Sequence, residues 1–276
     1  MKPKKVSQVR GGMKSKMQVI TSKDNEIIKN IKKLKEKKYR EEQNMFLVEG
    51  IKMVKEAITE NANISKVIVC EECLNDGTLP KDLLYEVAKQ SCIYVSKNVF
   101  KTITEVENPQ GILAVIEKKD DENSINYDED VILVLDGIQD PGNLGTIIRT
   151  LDSVNLKQII LSEKTADAYS PKVVRSTMGA IYRVNFIKSS NIVETLKQIK
   201  KHKFEVIATS LQTNDTIYDV AYKKEAIVIG NEANGVSKEV LEIADKKVKI
   251  PMLGKTESLN AAVATGIILY EYARKH

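Results

Sequence analysis

From residue 46 onward the chain alternates short apolar runs with amphipathic stretches, the pattern of strands and helices taking turns. FLVEG (Phe46–Gly50) reads as a buried strand, and Gly50 turns it into a helix carrying Met53, Val54 and Ala57. VIVC (Val67–Cys70) and CIYVS (Cys92–Ser96) read as further strands, with helices over Leu83–Lys89 and Val99–Thr104. Asn108-Pro109-Gln110-Gly111 is a turn into the strand ILAVIEK. Ahead of these, one helix is predicted from Ser22 to about Glu42, with Ile27, Ile31 and Leu34 on one side. Residues 1–20 lack periodicity and read as a basic flexible arm.

Residues 118–130 (KKDDENSINYDED) are polar and acidic and read as a linker between a unit at 21–117 and one at 131–276. The second unit opens with VILVLD (Val131–Asp136), a continuous apolar run typical of a central parallel strand. Strands are predicted at Gln158–Ser162, Tyr182–Ile187, Phe204–Ser210, Ala226–Asn231 and Lys247–Pro251. Helices are predicted at Gly142–Val154, Lys172–Met178 and Ile192–Lys201, with a final one after the last strand. The fold class is therefore α/β, with a mostly parallel sheet covered on both faces and a small α/β unit before it.

The last segment, IPMLGKTESLNAAVATGIILYEYAR, runs from a strand end into a Gly-containing loop. Thr256, Glu257, Ser258 and Asn260 suit a helix start, where side chains accept orphan backbone N–H bonds and the dipole gathers ligands. The helix is crowded with Ala261, Ala262, Ala264 and Gly266. Gly inside a helix costs about 1 kcal/mol relative to Ala. Its presence fits close approach of a backbone or ligand, and equally tight packing.

Length and composition then narrow the classes. The chain's 276 residues allow a sizeable core, and no apolar run nears the ~20 residues of a membrane span. The basic start has no apolar h-region, so no secretory signal is expected. Three cysteines (Cys70, Cys73, Cys92) fit a reducing cytoplasm. Cys70 and Cys73 form a C-x-x-C, but with no second pair and only His202 and His276, no metal site is expected. Residues 1–40 hold fourteen Lys/Arg against Asp24, Glu26 and Glu36, a net of +11 that leaves −6 for the rest of a +5 chain. That asymmetry suits a polyanion such as nucleic acid, and also a solvated Lys-rich helix face.

In parallel α/β sheets ligands bind beyond the carboxyl ends of the strands. Three loops at such ends stand out: DGIQDPGNLGTIIRT (Asp136–Thr150), GNEANGVS (Gly230–Ser237) and PMLGKTESLN (Pro251–Asn260). Their glycines let backbone approach a ligand, and free N–H groups supply donors. Gly137, Gly142 and Gly145 do not match G-x-G-x-x-G, and there is no G-x-x-x-x-G-K-[ST], so dinucleotide and P-loop sites are excluded. No Ser/His/Asp set and no Cys/His/Asp cluster is available for hydrolysis.

Taken in order, N-L-G-x-I-x-R-T (Asn143–Thr150), I-G-N-E-x-x-G-V-S (Ile229–Ser237) and I-P-M…E-S-L-N-A-A-V-A (Ile250–Ala264) resemble the three motifs of the SpoU (TrmH) family of RNA 2′-O-ribose methyltransferases, in the SPOUT superfamily. FLVEG with Lys52 and Glu56-Ala57, and NPQGILAV, are similar to that family's substrate-binding domain. The resemblance implies an S-adenosyl-L-methionine cofactor held in a trefoil knot, a homodimer, and structured RNA as partner, ribosomal RNA ahead of transfer RNA. It implies an RNA substrate-binding domain at 21–117 and a methyltransferase domain at 131–276. A resistance methylase has the same chemistry, and a non-catalytic RNA-binding or ribosome-assembly protein could keep the fold.

By the same resemblance Arg149 is the catalytic candidate, with Asn143 and Glu232 positioning substrate and Ser258 and Asn260 close to the reacting centre. Gly230, Ile250 and Leu259 would present backbone to the cofactor, and Thr209 and Ser210 end another strand at the pocket. Methyl transfer from a sulfonium to a ribose hydroxyl needs orientation and stabilisation of charge on the 2′-oxygen. A guanidinium fork suits holding a phosphate beside the ribose and favouring an alkoxide, but it stays protonated and is a poor base. Taken singly, each of these residues could equally be a surface side chain, a loop acid or a cap.

Overall fold

The computed structural model describes residues 18–119 and 124–276, and in it the chain builds two sheets whose helical layers share one core. The first sheet comprises β1 (Val19–Ile20), β2 (Met45–Glu49), β3 (Ile64–Cys70), β4 (Cys92–Val95) and β5 (Ile112–Glu117) in the order β1-β4-β3-β5-β2. β1, β4 and β3 run parallel, and β5 is antiparallel to β3 and β2. Helices α1 (Glu26–Lys33), α2 (Lys37–Glu42), α3 (Ile51–Thr59), α4 (Glu71–Asn75), α5 (Lys81–Val87) and α6 (Lys97–Ile103) surround it. Ile28, Ile31, Val99 and Phe100 of α1 and α6 cover one face. Met53, Val54, Ala57, Leu83 and Val87 of α3 and α5 cover the other.

Several sequence expectations need correction here. The arm expected at 1–20 falls mostly outside the described residues, but its end, Val19–Ile20, pairs with β4 as an edge strand. The single helix expected over 22–42 is two helices, because Glu36 is extended at φ −95° and ψ 137°. Arg40 closes the break by donating Nη1 to the carbonyls of Leu34 at 2.9 Å and Lys35 at 2.6 Å. α4 is a short helix carrying Cys73, with Cys70 as its cap. Burial pushes the Cys70 thiol up to about 11, so it is no activated nucleophile.

The second sheet is wholly parallel. Its strands are β6 (Val131–Asp136), β7 (Gln158–Ser162), β8 (Asn185–Ser189), β9 (Glu205–Thr209), β10 (Glu225–Gly230) and β11 (Lys246–Val248), in the order β11-β9-β10-β6-β7-β8. Its central strands are buried along their whole length, as their apolar runs require. α9 (Ile192–Lys201) and α10 (Lys238–Ile243) pack on one face; α7 (Pro141–Ser153), α8 (Pro171–Thr177) and α11 (Ala261–Lys275) pack on the other. β8 begins three residues later than expected, because Ala180–Tyr182 form a 3-10 turn that aims the Tyr182 hydroxyl at the Met53 carbonyl, 3.0 Å away. Short α10, between β10 and β11, has no counterpart in the sequence reading.

The core under α7, α8 and α11 continues without a break into the core under α3 and α5. Charged side chains lock the junction. Arg40 donates Nε and Nη2 to Asp167 Oδ2 at 3.0 and 2.6 Å, both side chains being nearly buried. Arg183 donates Nε to Asp152 on α7 at 2.9 Å and Nη1 to Glu56 at 3.0 Å and Glu60 at 2.9 Å, at the other end of α3. Asn126 and Gln158 exchange hydrogen bonds at 2.9 and 2.6 Å, and Tyr127 stacks on His202 at 3.5 Å, so residues 126–127 lie against the second sheet.

Candidate active site

Parallel register sets Gly230 beside Asp136, so the loops after β6 and β10 leave the sheet side by side. Gly137, at φ +82°, turns the chain where a side chain would be strained. Its N–H donates to Ser162 Oγ at 2.9 Å and to Thr165 Oγ1 at 3.2 Å. Asn231 donates Nδ2 to the Gly137 carbonyl at 2.8 Å, and its Oδ1 accepts from the Ala233 and Asn234 N–H groups at 2.9 and 3.2 Å. Asp136 accepts from the Ser237 N–H at 2.8 Å. Two loops that are distant in sequence are thereby fixed to each other through backbone groups that would otherwise lack partners.

The third loop joins through side chains. Asp140 caps α7 by accepting from the Asn143 N–H at 2.8 Å. Asn143 Nδ2 donates to Glu232 Oε1 at 2.9 Å, and Asn143 Oδ1 accepts from Asn260 Nδ2 at 2.9 Å. Asn260 is the cap of α11, its Oδ1 accepting from Ala262 and Val263 at 2.9 and 3.2 Å. One amide, Asn143, therefore ties the ends of all three loops together.

Burial raises the Glu232 carboxyl, but the Asn143 amide and the backbone N–H groups of Gln139 and Asp140 outweigh it and hold Glu232 below the usual carboxylate range. A depressed folded value means that the ionised form favours the fold. This contribution is present above the unfolded Glu range, near pH 4.3, and is lost as pH falls through the depressed value. Glu232→Gln is therefore expected to lower the melting temperature at neutral pH and to converge with the parent as the solution is acidified. Circular-dichroism melts across that range check it; an offset independent of pH would refute it.

The other candidates are spread around this knot of hydrogen bonds. Thr209 donates Oγ1 to the Val228 carbonyl at 3.0 Å, and the Ser210 N–H donates to Val248 at 2.9 Å, so both are anchored to neighbouring strands. Gly230 lies under the Asn231–Gly235 turn, and Ile250 packs half-buried against the core. Arg149 is exposed on α7, and its side chain makes no hydrogen bond or ion pair among the described residues. Ser258 and Leu259 lie in an exposed loop. The helix starts at Ala261, so Thr256, Glu257 and Ser258 are not its first turn, and Ser258 is not joined to Asn143 or Glu232. A Cβ on Gly266 would meet only Thr150 Cγ2, at 3.9 Å, so packing within this chain does not demand glycine there. Sequence reasoning missed Asp136, Asn231 and Asp140, whose partners are mainly backbone groups; only Asp140, two residues before a Gly-Asn helix start, carried a local capping signal.

Residues 250–259 make no hydrogen bond among the described residues, so their backbone donors and acceptors have no partner there. Leu253 and Leu259 present exposed apolar side chains from the third loop, and Leu211 one from the segment after β9. Open backbone groups beside apolar side chains fit an adenine ring and its edge. Among the described residues no group of three or more His, Cys, Asp or Glu is placed to hold a metal, and no helix is long and apolar enough to cross a membrane.

Comparison with known proteins places the same loops in context. The SpoU rRNA Methylase family matches residues 130–270, and the MRM3-like substrate binding domain matches residues 25–114. The 23S rRNA (guanosine(2553)-2′-O)-methyltransferase RlmP of Bacillus subtilis (strain 168) is 34% identical over 92% of this chain and 98% of its own length. An AdoMet-bound rRNA methyltransferase from Sinorhizobium meliloti superposes with a TM-score of 0.81 at 31% identity, over 94% of this chain and 98% of that one. The SpoU methyltransferase AviRb from Streptomyces viridochromogenes, in complex with AdoMet, gives 0.81 at 25% identity over 91% and 98%.

Proposed function

The chain belongs to the SpoU rRNA methylase family, and from that premise we propose that its three-loop site methylates a ribose 2′-hydroxyl of ribosomal RNA, using S-adenosylmethionine. The observation that carries the reading is the Asn143 amide, bonded at once to Glu232 and to Asn260, which gathers the three family motifs into one site.

S-adenosylmethionine, when bound, supplies a methyl group already activated by its sulfonium. The open backbone of residues 250–259, with Gly230 and the ends of β9 at Thr209 and Ser210, would hold it. The chain's own residues then have two tasks. Asn143, Glu232 and Asn260 fix the geometry in which the ribose meets the methyl group, and Glu232, held ionised, keeps the second loop against the start of α7. Arg149, a planar cation whose side chain has no partner among the described residues, holds the adjoining phosphate and stabilises negative charge growing on the 2′-oxygen. Ser258 reaches the reacting centre from the open loop.

The described residues divide in function as their sheets do. Residues 21–117 present the RNA and 131–276 carry the transfer. A second copy of the chain would cover the exposed face of α11, where Val263 is 52% and Tyr270 58% exposed beside half-exposed Ile267. That face adjoins α7 and its Arg149. A knotted C-terminus agrees with the strand order, in which β10 is inserted between β9 and β6 before α11 returns to pack on α7.

The purified 276-residue chain with tritiated S-adenosylmethionine and a 23S ribosomal RNA transcript is expected to label the RNA at a ribose 2′-oxygen, seen as an alkali-resistant dinucleotide. Binding of the cofactor in calorimetry without label in any RNA would leave a non-catalytic binding protein. Label in transfer RNA alone would overturn the ribosomal assignment.

A further inference from the structure

Methylating one ribose in a large folded RNA requires contacts beyond the phosphates, because phosphate contacts position the protein but carry no sequence information. RNA-binding surfaces engage unpaired nucleotides by stacking their bases on exposed aromatic rings and hydrogen-bonding their edges. Among the described residues, the exposed large hydrophobic side chains of the first unit are Ile27, at 39%, and Tyr85, at 68%. Tyr85 is thus its one exposed aromatic ring. Tyr218 and Tyr270, the other exposed tyrosines, lie at or beside α11 in the second unit.

Tyr85 projects from α5 into an open groove of about 290 Å³ between α3 and α5. Lys55, Ile58 and Thr59 line it from α3; Asp82, Leu83 and Glu86 line it beside the tyrosine. Two ion pairs flank the ring. Lys55 Nζ lies 2.8 Å from Asp82 Oδ2, and Lys89 Nζ lies 2.9 Å from both Glu86 oxygens and 4.4 Å from the Tyr85 centroid. All four side chains are well exposed, so these pairs contribute little to the fold and can be exchanged for ligand contacts.

We propose that this groove binds one unpaired nucleotide of the RNA substrate, its base stacked on Tyr85. The inference rests on the methyltransferase reading and adds a second contact to it. Each part of a nucleotide meets a chemical complement. The ring offers a stacking face. Lys55 and Lys89 offer ammonium groups to the flanking phosphates, and Asp82 and Glu86 accept from the amino or imino N–H groups of a base edge.

The groove also lies in the right layer. α3 and α5 share a continuous core with α7, α8 and α11, and Arg183 bridges Glu56 and Glu60 at α3 to Asp152, one turn beyond Arg149. Tyr85 and Arg149 are therefore exposed on helices that pack into one continuous core.

The test is binding of a 23S ribosomal RNA transcript to the full chain, by filter retention, with Tyr85→Ala and Tyr85→Phe. Tyr85→Ala is expected to weaken RNA binding about 5- to 100-fold and to raise KM for RNA, with kcat at saturating RNA and cofactor affinity unchanged. Tyr85→Phe keeps the ring and is expected to stay within about twofold of the parent. RNA affinity in Tyr85→Ala within twofold of the parent would overturn the proposal, and so would an equal loss in Tyr85→Phe. Failure of the functional reading looks different: the parent itself would neither bind nor label the transcript, and both conclusions would fall together.

Discussion

Replacing Gly230 with alanine is expected to abolish cofactor binding and to lower stability by about 3–5 kcal/mol, the upper range for a single substitution. The reason is space rather than backbone conformation. A Cβ at Gly230 would lie 2.0 Å from the carbonyl carbon of Gly235 and 2.0 Å from the nitrogen of Val236, both main-chain atoms with no rotamer to adopt. Relief requires the turn at 231–235 to lift. That movement would break the paired Asn231–Gly235 bonds, each 2.9 Å, together with Asn231 on Gly137 and Ser237 on Asp136. Glu232 would leave Asn143, and the three loops would separate. Gly254→Ala is the control: a Cβ there meets nothing within 4 Å, so its stability should match the parent. Urea unfolding and calorimetry with S-adenosylmethionine on both variants measure this. A Gly230→Ala protein with parental unfolding and affinity would show that the turn is soft and not a fixed wall of the site.

What the sequence disclosed, and what it hid, follows from where each group finds its partner. The strands β6 and β10 were legible because burial on both faces demands unbroken apolar runs. β1 was not, because two residues carry no periodicity and pair only through an edge supplied by β4. The break after Lys33 has no Gly or Pro to mark it; it depends on Arg40 reaching back to two carbonyls and on Lys35 reaching the Thr104 carbonyl at 2.9 Å. Tyr182 looked like the start of a strand because it is apolar and buried, but its burial is against α3 of the other unit. In the site, Asn143, Glu232 and Asn260 stood out through motif order. Asp136 and Asn231 did not, since they act on backbone groups 101 and 94 residues away, and no local pattern encodes such a bond.

Arg149→Ala is expected to reduce methyl transfer about 10²- to 10³-fold, the scale seen when one charge-stabilising donor is removed. Cofactor affinity and unfolding should stay parental, because Arg149 is exposed and holds nothing within the chain among the described residues. Arg149→Lys keeps the charge and loses the fork, so its rate should fall between the two if bidentate geometry matters. Tritium transfer under single-turnover conditions separates this loss from RNA binding, which should weaken only modestly on removal of one phosphate contact. Full activity in Arg149→Ala would remove it from the chemistry. The same variant tests whether the site is shared between copies. Asn260→Ala damages the loop junction around Asn143, whereas Arg149→Ala leaves that junction whole. If Arg149 serves the partner's site, a mixed dimer of the two variants assembles one site with both residues intact, and mixing two inactive proteins restores part of the activity. If Arg149 serves its own site, every site in the mixture lacks one residue or the other, and mixing restores none.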